Sequence, residues 1–219
     1  MASHITPREF HELNGIEDWR VLLVYGACAY FRTTSFASGV ALVEAIGRLG
    51  SDADHYPDVD LRQQSVSVRL ATFYWGGLSD LDVTMARQIS AAARELDAVA
   101  DPTAIQQVNI AVDAMVGTSA APFWRALLGY EASGPEDLNL TDPAGRGPAF
   151  WFLEMDKPRP QRNRIHIDIC VPHDQAEARM AAALGAGGRL VTDQYAPAWW
   201  VLADSEGNEA CLVSWMGRD

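Results

Sequence analysis

An imidazole and a phenol, His55 and Tyr56, stand directly before Pro57, and a carboxylate, Asp82, follows beyond a run of aromatic residues that includes Phe73 and Trp75. Histidine is the side chain whose ordinary pKa lets it give and take protons near neutral pH. A phenol can donate a hydrogen bond, but with a pKa of about 10 it is a poor base unaided. Phe73 cannot carry a proton at all, yet its ring offers a flat ligand something to stack on. Proton transfer beside an aromatic surface is the chemistry these residue types allow. Plainer uses stay open. A histidine in such a turn can serve only to bond backbone, and aromatic rings can simply fill space.

The elements that must hold these residues can be read from pattern. Thr6-Pro7-Arg8-Glu9 has the form of a helix start, with a cap, a proline in the first turn and a glutamate three residues on. Trp19 to Val24 and Ala27 to Arg32 read as a β-hairpin about Tyr25-Gly26. Ser35 can cap a helix bearing Phe36, Val40, Val43, Ile46 and Leu49 at helical spacing, with a loop expected from Gly50 to Asp54. Pro57 favours an extended Tyr56. Ser65 to Phe73 alternates as a strand. After Gly76-Gly77, Ser79 caps a helix with Leu81, Met85, Ile89, Ala92 and Leu96 as its expected buried stripe. The order α-β-β-α-β-α predicts an α+β module with helices on one face of a small antiparallel sheet.

His55, Pro57, the strand VSVRLAT, Gly77-Leu78-Ser79 and Asp82 carry a resemblance to the pterin-4a-carbinolamine dehydratase family, gapless from His55 to Asp82. It covers roughly residues 5 to 97. That family's site uses two adjacent histidines, a third at the end of the following strand, and an aspartate in the next helix. On this chain the resemblance places His55 at the first position, Tyr56 at the second, Phe73 at the third, and keeps Asp82. It implies His55, Tyr56 and Asp82 as catalytic residues and Phe73 and Trp75 as substrate-binding ones. Imidazole suits the loss of water from a carbinolamine, which needs proton transfer at both the departing oxygen and the ring nitrogen. Asp82 would also be favoured in a first helical turn by the helix dipole, whatever its function.

Asp97 to Thr103, with Asp101-Pro102, is expected to be the boundary between two domains, 1–98 and 105–219. Beyond it the pattern is a strand (Val108, Ile110, Val112), a helix (Ala120 to Leu128, closed by Gly129), a polar turn (Asp142 to Gly147) and a strand (Phe150 to Met155). A second round follows: a strand through Ile165, Ile167, Ile169 and Val171, a helix from Asp174 to Leu184 closed by Gly185, and three strands at 187–192, 199–203 and 210–215. Strand–helix–strands twice over is an internal repeat. Of the adjacent Trp199 and Trp200, one should face inward and one outward, where it could cover the interdomain or dimer interface.

FWRALLGYE at 123–131, RNRIHIDICV at 162–171 and WVLADSEGNEACLV at 200–213 resemble the glyoxalase-like branch of the vicinal-oxygen-chelate superfamily. The resemblance implies paired βαβββ units curling into a cup. Its metal-ligand positions fall here on Asn109, Leu153 (or Glu154), His166 and Cys211, with Glu209 two residues before Cys211. Three good ligands are usual for a catalytic zinc or iron site, and this set does not provide them, so no metal and no cofactor is expected. Asn109, His166, Cys211 and Trp199 are instead expected to contact substrate. A lone histidine on an alternating strand is also commonly a satisfied interior residue. Asp204 to Asn208 is expected to be a hairpin turn, its acidic spacing being too sparse for a calcium loop.

Composition bounds the rest. The chain has 219 residues and a net charge of −12, against a phosphate-binding surface for nucleic acid or an anionic membrane. Three scattered cysteines make no disulfide framework or zinc knuckle, and MASHITPREFHEL has no signal-peptide pattern, so a cytoplasmic setting is expected. A homodimer acting on a small molecule is the expected assembly, on resemblance alone. Three functions stand: a divergent dehydratase or cyclase, a non-catalytic binding or resistance protein, and an enzyme whose site is the glyoxalase-like cup.

Overall fold

The computed structural model describes residues 3–22, 25–73, 77–133, 137–157, 167–171, 175–214 and 216. The chain forms two compact units, Met1–Gln107 and Val108–Asp219.

In the first unit the capping box at Thr6 and Glu9 starts α1 (Pro7–Glu12) after a two-residue strand, β1 (His4–Ile5). The hairpin β2 (Trp19–Leu22) and β3 (Gly26–Arg32) follows, then α2 (Phe36–Ala53), capped by Ser35. Next come β4 (Asp58–Arg62), β5 (Ser65–Leu70), β6 (Leu78–Ser79), α3 (Asp80–Glu95) and β7 (Val99–Ala100). The sheet order is β2-β3-β5-β4, all antiparallel, with β7 on the end of β3. Val66, Val68 and Leu70 of β5 meet Leu42 and Ile46 of α2 and Met85 and Ile89 of α3 in one core.

Four local expectations are corrected. The loop expected at Gly50 to Asp54 is helix as far as Ala53, closed by Asp54 in the left-handed region (φ 48°). The α2 stripe holds only in part: Ile46 is buried and Val43 and Leu49 pack against the core, but Phe36 is 54% exposed, and Gly39, Leu42 and Gly50 complete the buried face. On α3, Leu81 is exposed and Asp82 takes the buried place. The stretch expected as a linker packs on the first unit. Val99 and Ala100 pair with Arg32 and Phe31, the Asp101 N–H donates to the Tyr30 carbonyl at 2.8 Å, and the Asp101 carboxylate pairs with Arg32.

The second unit holds β8 (Asn109–Ala114), α4 (Gly117–Leu128), β9 (Glu131–Ser133), β10 (Asn139–Thr141) and β11 (Ala149–Glu154). It then repeats that order as β12 (Asp168–Cys170), α5 (Ala176–Gly185), β13 (Arg189–Thr192), β14 (Trp199–Ala203) and β15 (Glu209–Val213). The sheets are β8-β11-β10-β9 and β12-β15-β14-β13, with β8 parallel to β11 and β12 parallel to β15. These are the paired βαβββ units, and the whole chain is α+β. Phe123, Trp124 and Leu127 of α4 share a core with Phe150, Leu202 and Leu212. Gly129 ends α4 at φ 71°, a conformation that costs a glycine nothing.

Two turns are held by single carboxylates. Asp204, 1% exposed, takes Trp124 Nε1 at 2.9 Å, Asn208 Nδ2 at 2.8 Å, and the N–H groups of Glu206 and Asn208. Asp142 takes the N–H groups of Ala144, Arg146 and Gly147 at 2.8, 3.0 and 2.9 Å. Burial works to raise the Asp142 carboxyl, but the three N–H donors outweigh it and hold it below its ordinary 3.8. A folded pKa below the unfolded one stabilises above the unfolded value, and the gain is lost as pH falls through the folded one. Asp142→Ala should therefore cost about 1 kcal/mol near neutral pH and progressively less as the pH is taken down below the ordinary carboxylate range. Urea unfolding at both pH values checks this.

Among the described residues no helix is long and apolar enough to cross a membrane.

Candidate functional site

Asp82 is the third residue of α3, fully buried, and placed by the capping box with Ser79. Its Oδ2 lies 2.7 Å from the Ser79 N–H and 2.6 Å from Thr72 Oγ1. Its Oδ1 lies 2.8 Å from His55 Nε2. One assignment of protons satisfies the whole cluster. The Leu81 N–H donates to Ser79 Oγ, Ser79 Oγ donates to Thr72 Oγ1 at 2.7 Å, and Thr72 Oγ1 donates to Asp82 Oδ2. The carboxylate is then acceptor to all its neighbours, so His55 Nε2 carries a proton and donates it to Oδ1. That leaves Nδ1 of a neutral His55 with the lone pair, and among the described residues Nδ1 has no hydrogen-bond partner. The His55 side chain is 11% exposed. The arrangement fixes one His55 tautomer against the buried Asp82 carboxyl and leaves Nδ1 for a ligand.

The other expected residues of this stretch divide. Phe73 is 39% exposed, and the ring of His4 stacks on it at 5.8 Å and 26°. His4 comes from β1, which pairs with β6 in the register His4↔Ser79, beside the cap that holds Asp82. Nothing local in the sequence marks His4, because the pairing that brings it there is long-range. Tyr56 is not joined to His55 or Asp82 by a hydrogen bond. It is 65% exposed, and its ring lies against the end of α2, where a Cβ on Gly50 would come within 3.1 Å of Tyr56 Cδ1. Extended backbone before Pro57 sends neighbouring side chains to opposite sides, so burying His55 turns Tyr56 outward. Trp75 lies outside the described residues. Burial pushes the Cys28 thiol up to about 12, so it stays protonated and is no candidate nucleophile.

In the second unit Cys211, Val201 and Val213 pack with Trp199 on the face of the β12–β15 sheet away from the helices. Trp200 turns to the helix-side core. Tyr195 stacks on Trp199 at 4.4 Å and 16°. Glu209 is within β15, so it shares the Cys211 face. Asn109 lies on a different strand sheet, in register with Ala149. His166 lies outside the described residues, as does the Leu153 side chain. No cluster of three or more His, Cys, Asp or Glu poised for a metal occurs among the described residues.

Comparison with known proteins matches residues 3–92 to the family model "Pterin 4 alpha carbinolamine dehydratase" and residues 109–213 to "Glyoxalase-like domain". A protein of Nocardia farcinica, provisionally named a pterin-4-alpha-carbinolamine dehydratase, is 40% identical over 60 residues. That match takes in 27% of this chain and spans 63% of the Nocardia protein's length. A protein of Mycobacterium leprae with the same provisional name is 34% identical over 77 residues, 34% of this chain and 78% of its own. A solved structure of a transcriptional coactivator/pterin dehydratase from Brucella melitensis is 25% identical, covering 42% of this chain and 99% of its own at a TM-score of 0.39. By its first unit, with a glyoxalase-like domain following, this chain belongs to the pterin-4-alpha-carbinolamine dehydratase family.

Proposed function

We propose that the first unit is a lyase site that removes water from a flat, cyclic, hydroxylated substrate, a pterin carbinolamine or a related ring compound. The observation that carries this reading is the 2.8 Å contact of His55 Nε2 with a buried, fully bonded Asp82. In a carbinolamine the hydroxyl and the N–H sit on neighbouring atoms. Dehydration breaks the C–O and N–H bonds, forms C=N, and releases water. The proton that leaves nitrogen is the one the departing oxygen needs. His55 Nδ1 takes it from nitrogen and returns it to oxygen, so one imidazole closes the balance. Asp82 holds the tautomer and stabilises the imidazolium between the two transfers. Phe73, with His4 stacked on it, gives the ring a surface to lie on. Tyr56, expected as a partner in proton transfer, has no part in this scheme.

The test is a stopped-flow assay of carbinolamine dehydration with the whole chain. Turnover above the spontaneous rate is expected, and a rate equal to the spontaneous one overturns the reading. A second reading puts ligand binding on the Cys211 face of the second unit, where Tyr195 and Trp199 stack. Activity that survives loss of His55 would favour it.

A further inference from the structure

A second imidazole stands beside the Asp82 cluster. His4 is exposed, and among the described residues neither of its ring nitrogens makes a hydrogen bond. Strand β1 is short, yet it is tied down on both sides. The Ser3 N–H donates to Asp80 Oδ1 at 3.1 Å, and Thr6 begins α1, whose Phe10 is fully buried in the core. The side on which His4 emerges follows from register. Residues paired across antiparallel strands point to the same face. Ile5 is paired with Leu78, and both pack into the core. His4 is paired with Ser79, so it shares the other face with the Ser79 hydroxyl. That hydroxyl lies 2.7 Å from Thr72 Oγ1, which in turn meets the Asp82 carboxyl that holds His55.

Facing rings in direct contact lie about 3.5–4 Å apart. The His4 and Phe73 rings have centroids 5.8 Å apart at 26°, so they are slid along each other and not eclipsed. The slide leaves part of the Phe73 face bare beside the imidazole, in keeping with its 39% exposure. A flat ring laid on that bare part occupies the same layer as the imidazole and meets it edge to edge. The hydrogen-bonding groups of a neutral imidazole, one N–H and one lone pair, lie in the ring plane. They therefore reach the rim of a coplanar neighbour and not its face. A carbocycle offers them nothing to bond, whereas a nitrogen heterocycle with N–H and C=O groups on its rim does.

We propose that His4 is a specificity-determining residue of the first unit: it hydrogen-bonds the rim of a nitrogen heterocycle lying on Phe73, and so selects such rings over carbocycles of the same outline. Where the ring lies rests on the dehydratase reading, while the selection among rings is carried by His4 and is tested separately.

Equilibrium dialysis of the full chain with 7,8-dihydropterin and with naphthalene tests it. Both probes are fused pairs of six-membered rings, and only the first has a polar rim. His4→Phe keeps a ring on Phe73 but has no in-plane donor or acceptor. It should weaken dihydropterin about fivefold, the worth of one hydrogen bond, at an unchanged melting midpoint, and should not weaken naphthalene. In the carbinolamine assay His4→Phe should raise KM about fivefold and leave kcat alone, whereas loss of a proton-transfer group lowers kcat. Equal dihydropterin affinity in the parent and His4→Phe, an equal fall for both probes, or no dihydropterin binding by the parent would each overturn the proposal. His4-dependent dihydropterin binding by a chain that dehydrates the carbinolamine no faster than the spontaneous rate upholds the role of His4 and removes the dehydratase reading instead.

Discussion

A chain carrying His55→Gln should fold as its parent does and dehydrate a carbinolamine about 10²- to 10⁴-fold more slowly, the usual loss when a positioned proton-transfer group is removed. The choice of glutamine matters. Its amide N–H can still donate to Asp82 Oδ1, so the buried carboxylate keeps the partner that His55 gives it at 2.8 Å. His55→Ala would leave that oxygen unmet inside the protein, at about 1–3 kcal/mol, and mix stability with catalysis. Because the Phe73 surface is untouched, KM should change little while kcat falls. A His55→Gln chain with parental kcat would remove His55 from the mechanism and shift attention to the second unit.

Asp82→Ala should be the most destabilising single change in the first unit. It removes the acceptor for the Thr72 hydroxyl, the Ser79 N–H and His55 together, and with it one half of the cap on α3. Breaking a buried, charge-bearing network of this kind costs about 3–5 kcal/mol. For a unit of this size that is a fall of more than about 10 °C in its melting midpoint. Asp82→Asn separates the two roles of the carboxylate. The amide oxygen can stay with Ser79 and Thr72, which holds the helix start, but the NH₂ then faces His55. Nε2 must become the acceptor, the proton moves to Nδ1, and the lone pair needed for the substrate is lost. Asp82→Asn should therefore unfold close to the parental midpoint and be nearly inactive in the carbinolamine assay. An asparagine variant with parental turnover would show that Asp82 only caps the helix.

How much was legible beforehand follows from which residues carry apolar or turn signals. Thr6-Pro7-Arg8-Glu9, Ser35 and Ser79 announced their helices because capping is local chemistry. Strand β4 went unread because Asp58-Val59-Asp60-Leu61-Arg62 is acidic and polar, a composition that strands disfavour on average. It is an edge strand, and charge on an edge discourages pairing with another chain. The buried face of α2 was legible only in part because Gly39 and Gly50 carry no hydrophobic signal. They are buried for being small: a Cβ on Gly39 would lie 2.6 Å from Leu61 Cδ1. Asp82 was recognised, but its burial was not, since only the convergence of Thr72, Ser79 and His55 makes a buried carboxylate affordable. His4 was invisible for the same reason, its place being set by a strand pairing across the unit. The βαβββ repeat was clear, since duplicated periodicity survives even where single strands are short.

The turn at Asp204–Asn208 has a consequence for how the two repeats of the second unit depend on each other. That turn belongs to the second repeat, yet it serves the first. Glu206 accepts the Val116 N–H at 3.1 Å, where α4 has no side-chain cap of its own. Ser205 donates to the Ser119 carbonyl, Asn208 to the Asp113 carbonyl, and Asp204 takes the indole of Trp124. A helix that takes its first hydrogen bonds from the neighbouring repeat loses about 1 kcal/mol for each of them when that repeat is absent. The two repeats are thus tied to each other at the start of α4 by hydrogen bonds that neither could make alone. The topology of the two halves is the same, while the bonds that finish each half are asymmetric.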